Sequence, residues 1–376
     1  MSTPNIRWAK EACDLKPDPV SGAAITRLSG SAAFTHNIYC CEPTASRDGT
    51  RIAAMRYLDT FMNAMLVGID LTTKYTCLIE REMTGWPVGP AWGGSIYYPS
   101  GTKLMRASLD DMQVKPVLDF TGMPRCWQLM SFSSDERHML YTGVVGEDPE
   151  TYNVVRVDLQ TLKWRLLCDE STTERIGAVF SPVTSDEILI GKTFWEGKLR
   201  FGRNLLADGD GKIIRELFSR VHHSVWVGDG SAVAALHEMD YEKLVHLPKY
   251  PDGELVIYPK DGSAPRLIPA REHLLYHVSS SRCGRYLVFE GIENILKEGP
   301  VPIVVFGVKS GKYRTLVANC GCRGGGGGND SRQAKPYFTA DNRYVIYTAD
   351  PDGIVNVYSA EVPAGFLESL DQETRL

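Results

Sequence analysis

The sequence predicts an all-β fold, and three observations carry that expectation. A turn-and-strand unit recurs along the chain, a second hairpin signature follows most copies, and helical periodicity is nearly missing. The first unit is a Ser/Thr/Asp–Gly-like turn followed by an apolar strand. It reads SRDGTRIAAM at 46–55, SFSSDERHMLYT at 131–142, VGDGSAVAAL at 227–236, SRCGRYLVFE at 281–290 and FTADNRYVIYTAD at 338–350. Weaker copies are YPSGTKLMRA at 98–107 and FSPVTSDEILIG at 180–191. The second signature is AMLVGIDLTTKYTCLI at 64–79, NVVRVDLQTLKWRLL at 153–167 and VPIVVFGVKSGKYRTL at 301–316. Apolar and polar residues alternate on both sides of its turn, the period of antiparallel strands in a tight hairpin. Each repeat then holds about four short strands. About seven such repeats, spaced by roughly 50 residues, make a seven-bladed β-propeller of four-stranded antiparallel blades.

The last repeat is one strand short. The segment AAITRLSG at 23–30 supplies the missing outer strand for the blade spanning 337–362, so the N-terminal strand closes the ring. Two packed β-sandwiches fit the even spacing less well. One propeller domain over 1–376 is expected, with the N-terminal ~20 residues as an extension and a Gly-rich loop at 320–332. Helical patterning is confined to 366–376 and part of 238–246.

Composition excludes several function classes. The hydrophobic fraction of 43% supports a large core, and the net charge of -5 argues against a general nucleic-acid binder. No apolar run approaches the roughly 18 residues of a membrane helix, and the N-terminus carries no apolar signal core. A cytoplasmic protein is expected. The nine cysteines are odd in number and scattered, which does not suggest a disulfide framework. No C-x-x-C pair is present to build a zinc site.

In a propeller, the loops leading into the blades gather at one mouth of the central channel, and residues before each Asp–Gly turn are expected to face it. Those positions are polar and basic here: His36 with Asn37, Arg125 with Trp127 and Gln128, Arg203, His222 with His223, His277, and Arg332 to Lys335. Such a set suggests an anionic ligand. The Gly-rich loop lacks the GxxxxGK[ST] pattern of a phosphate cradle, and no GxSxG elbow marks a hydrolase. A glycoside hydrolase needs two carboxylates at the mouth; Asp59, Glu147, Asp148 and Glu196 are candidates, with no pair singled out.

Through most of its length the chain resembles the oligogalacturonate lyases, cytoplasmic seven-bladed propellers that degrade pectin fragments. The family's THEFW, followed by an Asp–Gly turn, is matched by HHSVWVGDG at 222–230. Its SHLMSxxDG is matched by YHVSSSRCG at 276–284, and its ARMWLINxDG by GRNLLADGDG at 202–211. The resemblance puts His223 on the family's catalytic base, Arg203 on its catalytic arginine and His277 on a metal-binding histidine. The family's QxxHPHPSFT is DSRQAKPYFT at 330–339 here. Asp330 then stands for the glutamine, Gln333 for one histidine and Lys335 for the other. An ammonium repels a metal and cannot ligate it while protonated. The family's manganese is therefore either lost or held by Asp330, Gln333 and His277.

The implied reaction is β-elimination on an acidic, uronate-containing oligosaccharide, giving a 4,5-unsaturated uronate. His223 removes the C5 proton, and a cation stabilises charge gathering on the C6 carboxylate. Arg203 and Lys335 are the expected cations. His36, His222, Arg125 and Trp127 are the expected substrate contacts, and either His36 or a tyrosine protonates the leaving oxygen. The alternative is a non-catalytic TolB- or WD40-like propeller that binds an anionic partner.

Overall fold

The computed structural model describes residues 7–57, 64–147, 150–174, 176–196, 199–237, 253–270, 274–292, 300–322 and 333–371. Seven four-stranded antiparallel blades stand in a ring, as the repeats predict. The inner strands of blades 1, 3, 4, 6 and 7 are Phe34–Asn37, Arg125–Phe132, Ile176–Ser181, Leu274–Ser280 and Tyr337–Phe338. Blades 4 and 5 share one long strand, Ile213–Trp226, which pairs outward with Leu199–Asp208 and then with Ala232–His237. The N-terminal strand Ala24–Arg27 pairs with Asn356–Glu361 and closes the ring through blade 7. A further short strand, Cys13–Asp14, adds to its outer edge. Among the described residues the C-terminal helical signal is reduced to Glu368–Asp371; 238–246 lies outside them. No described helix is long and apolar enough to cross a membrane.

The repeated turn has a physical basis. The Ser46 hydroxyl donates to Asp48 at 2.6 Å and accepts the Arg51 amide at 2.9 Å. Ser133 does the same with Asp135 and His138, and Thr339 with Asp341 and Tyr344. The hydroxyl and carboxylate thus satisfy the amides that a sharp turn leaves without ladder partners. Each turn also needs one left-handed residue, supplied by Gly49 (φ 74°) and by Asn342 (φ 58°).

Blade 2 departs from the expectation. YPSGTKLMRA does not lead out of an inner strand. It is the hairpin between Ser95–Ser100 and Lys103–Ser108, the second and third strands of the blade. The inner position is held by the segment around Val88, bridged to Tyr97. A Gly-containing hairpin and an inner-strand turn look alike in sequence because both need a left-handed residue, here Gly101 at φ 60°.

The core is divided among the spaces between blades. Leu140 and Val154 of blade 3 pack with Ile188 and Ile190 of blade 4, and Ile52 and Ile69 of blade 1 with Ile346 and Val357 of blade 7. One segment breaks the ring pattern. After Asn37, the chain leaves the inner edge of blade 1, crosses the channel, and rejoins blade 1 at Thr44 and Ala45. Asn37 donates to the Lys335 carbonyl of blade 7 at 2.6 Å, and Cys40 to Val278 of blade 6 at 3.7 Å. Cys41 donates to Ser224 of blade 5 at 3.7 Å, Glu42 accepts from Ser131 of blade 3, and the Pro43 carbonyl accepts from Trp92 of blade 2 at 2.9 Å.

Ring closure by a short strand makes a direct prediction. Ile25 is buried between blades 6 and 7. Ile25→Ala is expected to cost about 2–3 kcal/mol, lowering the urea midpoint with an unchanged m-value. Val20→Ala, at a 66% exposed position, is expected to stay within about 0.5 kcal/mol of wild type.

Candidate active site in the channel

The crossing segment forms one wall of a cavity of about 720 Å³. Opposite walls come from blades 2 to 5 and are rich in aromatic and aliphatic side chains: Trp86, Trp92, Trp127, Phe132, Phe180 and Trp226. Few ionisable groups line it: His223, Lys335, Glu42, Tyr39 and Cys41.

β-Bulges aim the first of these. On the shared strand the pairing shifts between Val221 and His223, so His222 is the extra residue and His223 turns into the cavity. A second shift between Leu275 and Val278 takes Tyr276 and His277 out of the regular register, and a third, between Cys126 and Gln128, does so for Trp127. A bulge re-aims a side chain where regular alternation would bury it between blades. The His223 ring lies 4.6 Å from His277 and 4.9 Å from Tyr276 by centroids.

Behind His223 sits a buried charge network. His277 Nδ1 meets Glu290 at 2.5 Å, with both side chains 3% exposed. The other Glu290 oxygen accepts the Lys335 amide at 2.9 Å. Burial alone would push the Glu290 carboxyl up. The His277 ring, the Lys335 amide and the Lys335 charge together outweigh that and hold it below its usual range. Lys335 is 5% exposed and sits in the left-handed region at φ 45°, with its ammonium 5.5 Å from the Tyr39 ring centroid.

Glu42 is the second buried acid, and it is 9% exposed. The Phe180 amide donates to Ser131 Oγ at 3.1 Å, so the Ser131 proton is free to point at Glu42 Oε1. Oε2 is buried and has no hydrogen-bond partner. Burial pushes this carboxyl well above the usual range; the Ser131 hydrogen bond pulls it partly back, and Cys41 raises it further.

The structure brings together some of the sequence-derived candidates and not others. His223, Lys335 and Trp127 line the cavity, and His277 stands directly behind His223. His36 is buried beside it, with Nδ1 on the Asn37 carbonyl at 2.8 Å and Nε2 on the Tyr57 hydroxyl at 3.2 Å. Arg125 sits at the outer end of its strand and pairs with Glu150 at 2.5 Å, away from the lining. Arg203 also lies outside the lining, because its Asp–Gly turn joins the third and fourth strands of blade 4 and not the first and second. Its side chain is 52% exposed and pairs with Glu216. Asp59, Asp148, Asp330 and Arg332 lie outside the described residues, as do the side chains of Glu147, Glu196 and His222.

Of the three expected manganese ligands, Asp330 lies outside the described residues, and the two that are described fit the metal poorly. His277 spends Nδ1 on Glu290, and Gln333 offers one buried oxygen without a partner. Next to them stands an ammonium, which a divalent cation avoids. Among the described residues no group of three His, Cys, Asp or Glu converges.

Fold and site define a seven-bladed propeller with an axial, histidine-bearing cavity. No known family profile matches the chain, and no curated protein matches it by sequence. Solved structures do. An oligogalacturonate lyase in complex with manganese is 19% identical over 96% of this chain and 97% of that chain, with a TM-score of 0.73. The oligogalacturonate lyase of Vibrio parahaemolyticus is 15% identical over 96% and 99%, with a TM-score of 0.74. The propeller domain of the trilobed protease of Pyrococcus furiosus is 13% identical over 87% and 95%, at 0.57. The chain thus shares its fold with remote structural relatives among the oligogalacturonate lyases.

Glu290 makes a prediction with a definite sign. Its folded pKa lies below the ordinary 4.5, so its network contributes stability above that pH and loses it as pH falls through the folded value. Glu290→Gln is expected to cost about 3–5 kcal/mol at neutral pH, because His277 and Lys335 lose a buried counter-charge. In thermal melts the gap to wild type is expected to narrow below about pH 4.5.

Proposed function

We propose that the protein is a lyase that cleaves uronate-containing oligosaccharides by β-elimination. The observation that carries this reading is the placement of His223 in the same cavity as the buried ammonium of Lys335, with His277 behind the base. β-Elimination next to a carboxylate needs those two things: a neutral imidazole to take the C5 proton, and a fixed positive charge where the C6 carboxylate gathers electrons. The fold shared with oligogalacturonate lyases supports the same reading.

In this reading His223 accepts the C5 proton, the C5–H electron pair forms the C4=C5 double bond, and the C4–O bond breaks toward the leaving oxygen. Lys335 faces the carboxylate, and its low exposure makes its charge worth more than in water. Trp127 and Trp86 offer exposed ring faces to the sugar. We assign the clamp on the carboxylate to Lys335, because Arg203 is already paired with Glu216.

The test is a set of galacturonate and glucuronate oligosaccharides, followed by the ultraviolet absorbance of the 4,5-unsaturated product. Wild type is expected to produce it, and failure on every substrate would end the lyase reading. His223→Ala is expected to lose at least about 10²-fold in kcat with an unchanged melting temperature. Lys335→Met is expected to lose about 10²–10³-fold, and Arg203→Ala far less. The reverse order would return the clamp to Arg203.

A further inference from the structure

In the lyase reading the leaving oxygen must gain a proton, a step expected of His36 or a tyrosine; His36 lies outside the lining with its ring nitrogens on Asn37 and Tyr57. Among the described residues of the cavity, a carboxyl is better built for it. Glu42 receives the Ser131 hydrogen bond at Oε1, and Ser131 has no second proton to offer. Oε2 is left buried and without a partner. An ionised carboxylate would leave that oxygen's lone pairs bare inside protein, whereas a carboxylic acid carries a proton there as a ready donor. The position is tied to the base. Cys41, the preceding residue, donates to the carbonyl of Ser224, the residue after His223, at 3.7 Å. Glu42 and His223 both line the cavity.

We propose that Glu42 is the general acid of the same reaction, holding a proton at Oε2 for the oxygen that departs from C4. The proposal rests on the lyase reading and adds a catalytic residue to it. The terminal torsion of a glutamate is broad, so a turn of the carboxyl presents Oε2 to a ligand oxygen entering the cavity. As His223 takes the C5 proton and the C4–O electron pair leaves with the oxygen, that oxygen takes the Glu42 proton. Imidazolium and carboxylate remain, and transfer of one proton through solvent from His223 to Glu42 restores both. No oxidant, metal or co-reactant is consumed. The two groups are a carboxyl that burial makes hard to ionise and an imidazole in the same cavity, the kind of pair acid–base chemistry uses.

Glu42→Gln separates this role from a structural one, because the amide keeps the shape and the Ser131 contact but has no transferable proton. Two substrates are compared: digalacturonate, whose sugar alkoxide needs a proton, and a galacturonate carrying 4-nitrophenol at O4, whose phenolate leaves without one. E42Q is expected to lose about 10²–10³-fold on digalacturonate and to stay within about tenfold of wild type on the nitrophenyl substrate. His223→Ala is expected to lose both. Equal losses for E42Q on both substrates, or none on either, would overturn the acid's role while leaving the lyase reading intact. Wild-type protein inert toward both would end the lyase reading and the acid's role with it. A melt series gives a readout without substrate. Lys335 and His223 share the cavity with Glu42, and Cys41 acts on it directly. A carboxyl harder to ionise when folded makes wild-type stability fall as pH rises past the ordinary 4.5. The melting advantage of E42Q is therefore expected to grow from about pH 4.5 to about pH 7.5, and a constant difference would overturn the neutral acid.

Discussion

The cavity depends on residues 38–43 crossing the channel. A propeller channel offers a crossing backbone no ladder, so the segment draws its hydrogen bonds from the surrounding blades, with Glu42 Oε2 left over. The blades provide them one at a time: Lys335, Val278, Ser224, Ser131 and Trp92. The inner strand of blade 1 is only four residues long, Phe34–Asn37, and gives way to the crossing, while the blade 3 counterpart runs for eight. One short strand therefore converts an open channel into a floored pocket. Because five other blades hold that floor, Tyr39 and Glu42 are fixed relative to His223 and Lys335, which is what a preorganised site requires.

The same enclosure explains how charge is distributed. Aromatic and aliphatic walls make an isolated ion costly, so each buried ionisable group has one of two solutions. Glu290 keeps its charge because His277 and the Lys335 amide supply hydrogen bonds and opposite charge. Glu42, with a single hydroxyl donor, has its carboxyl pushed well above the usual range by burial. The two glutamates are thus shifted in opposite directions for reasons visible in their contacts. The arginines of the mouth take a third course: Arg125 and Arg203 remain near water, each with a glutamate, and exposed pairs of this kind contribute little.

The repeats made the architecture legible because the turn chemistry is local. A Ser or Thr, an Asp two residues on and a left-handed fourth residue are all in the sequence, and ring closure follows from counting strands. The site was legible only in part. His223 and Lys335, two of the candidates the sequence offered, line the cavity, and His277 stands behind His223. Arg203 stands off the cavity lining because its Asp–Gly turn joins the third and fourth strands, and in sequence that turn looks like one between the first and second. Glu42 left a faint signal: it is the single charged residue between Asn37 and Ser46. What makes it distinctive is Ser131, 89 residues away, and that pairing is a product of the crossing segment, which no periodicity reveals.

Lys335 carries the argument about the metal further than ligand counting does. A non-glycine residue in the left-handed region is strained, and it persists only where its surroundings over-determine it. Here the amide is held by Glu290 and the carbonyl by Asn37, both side chains from other blades. The backbone of Lys335 is thus clamped on both sides in a conformation that aims a long cationic side chain over Tyr39 and not toward solvent. A lysine placed by drift would relax outward, since its ammonium is strongly hydrated and its stem flexible. Holding it inside costs strain and desolvation, and the network of Glu290, His277 and Asn37 offsets both. On the proposed lyase reading, that fixed ammonium at the cavity wall is the positive charge the substrate carboxylate meets, and it needs no ligand set to hold it.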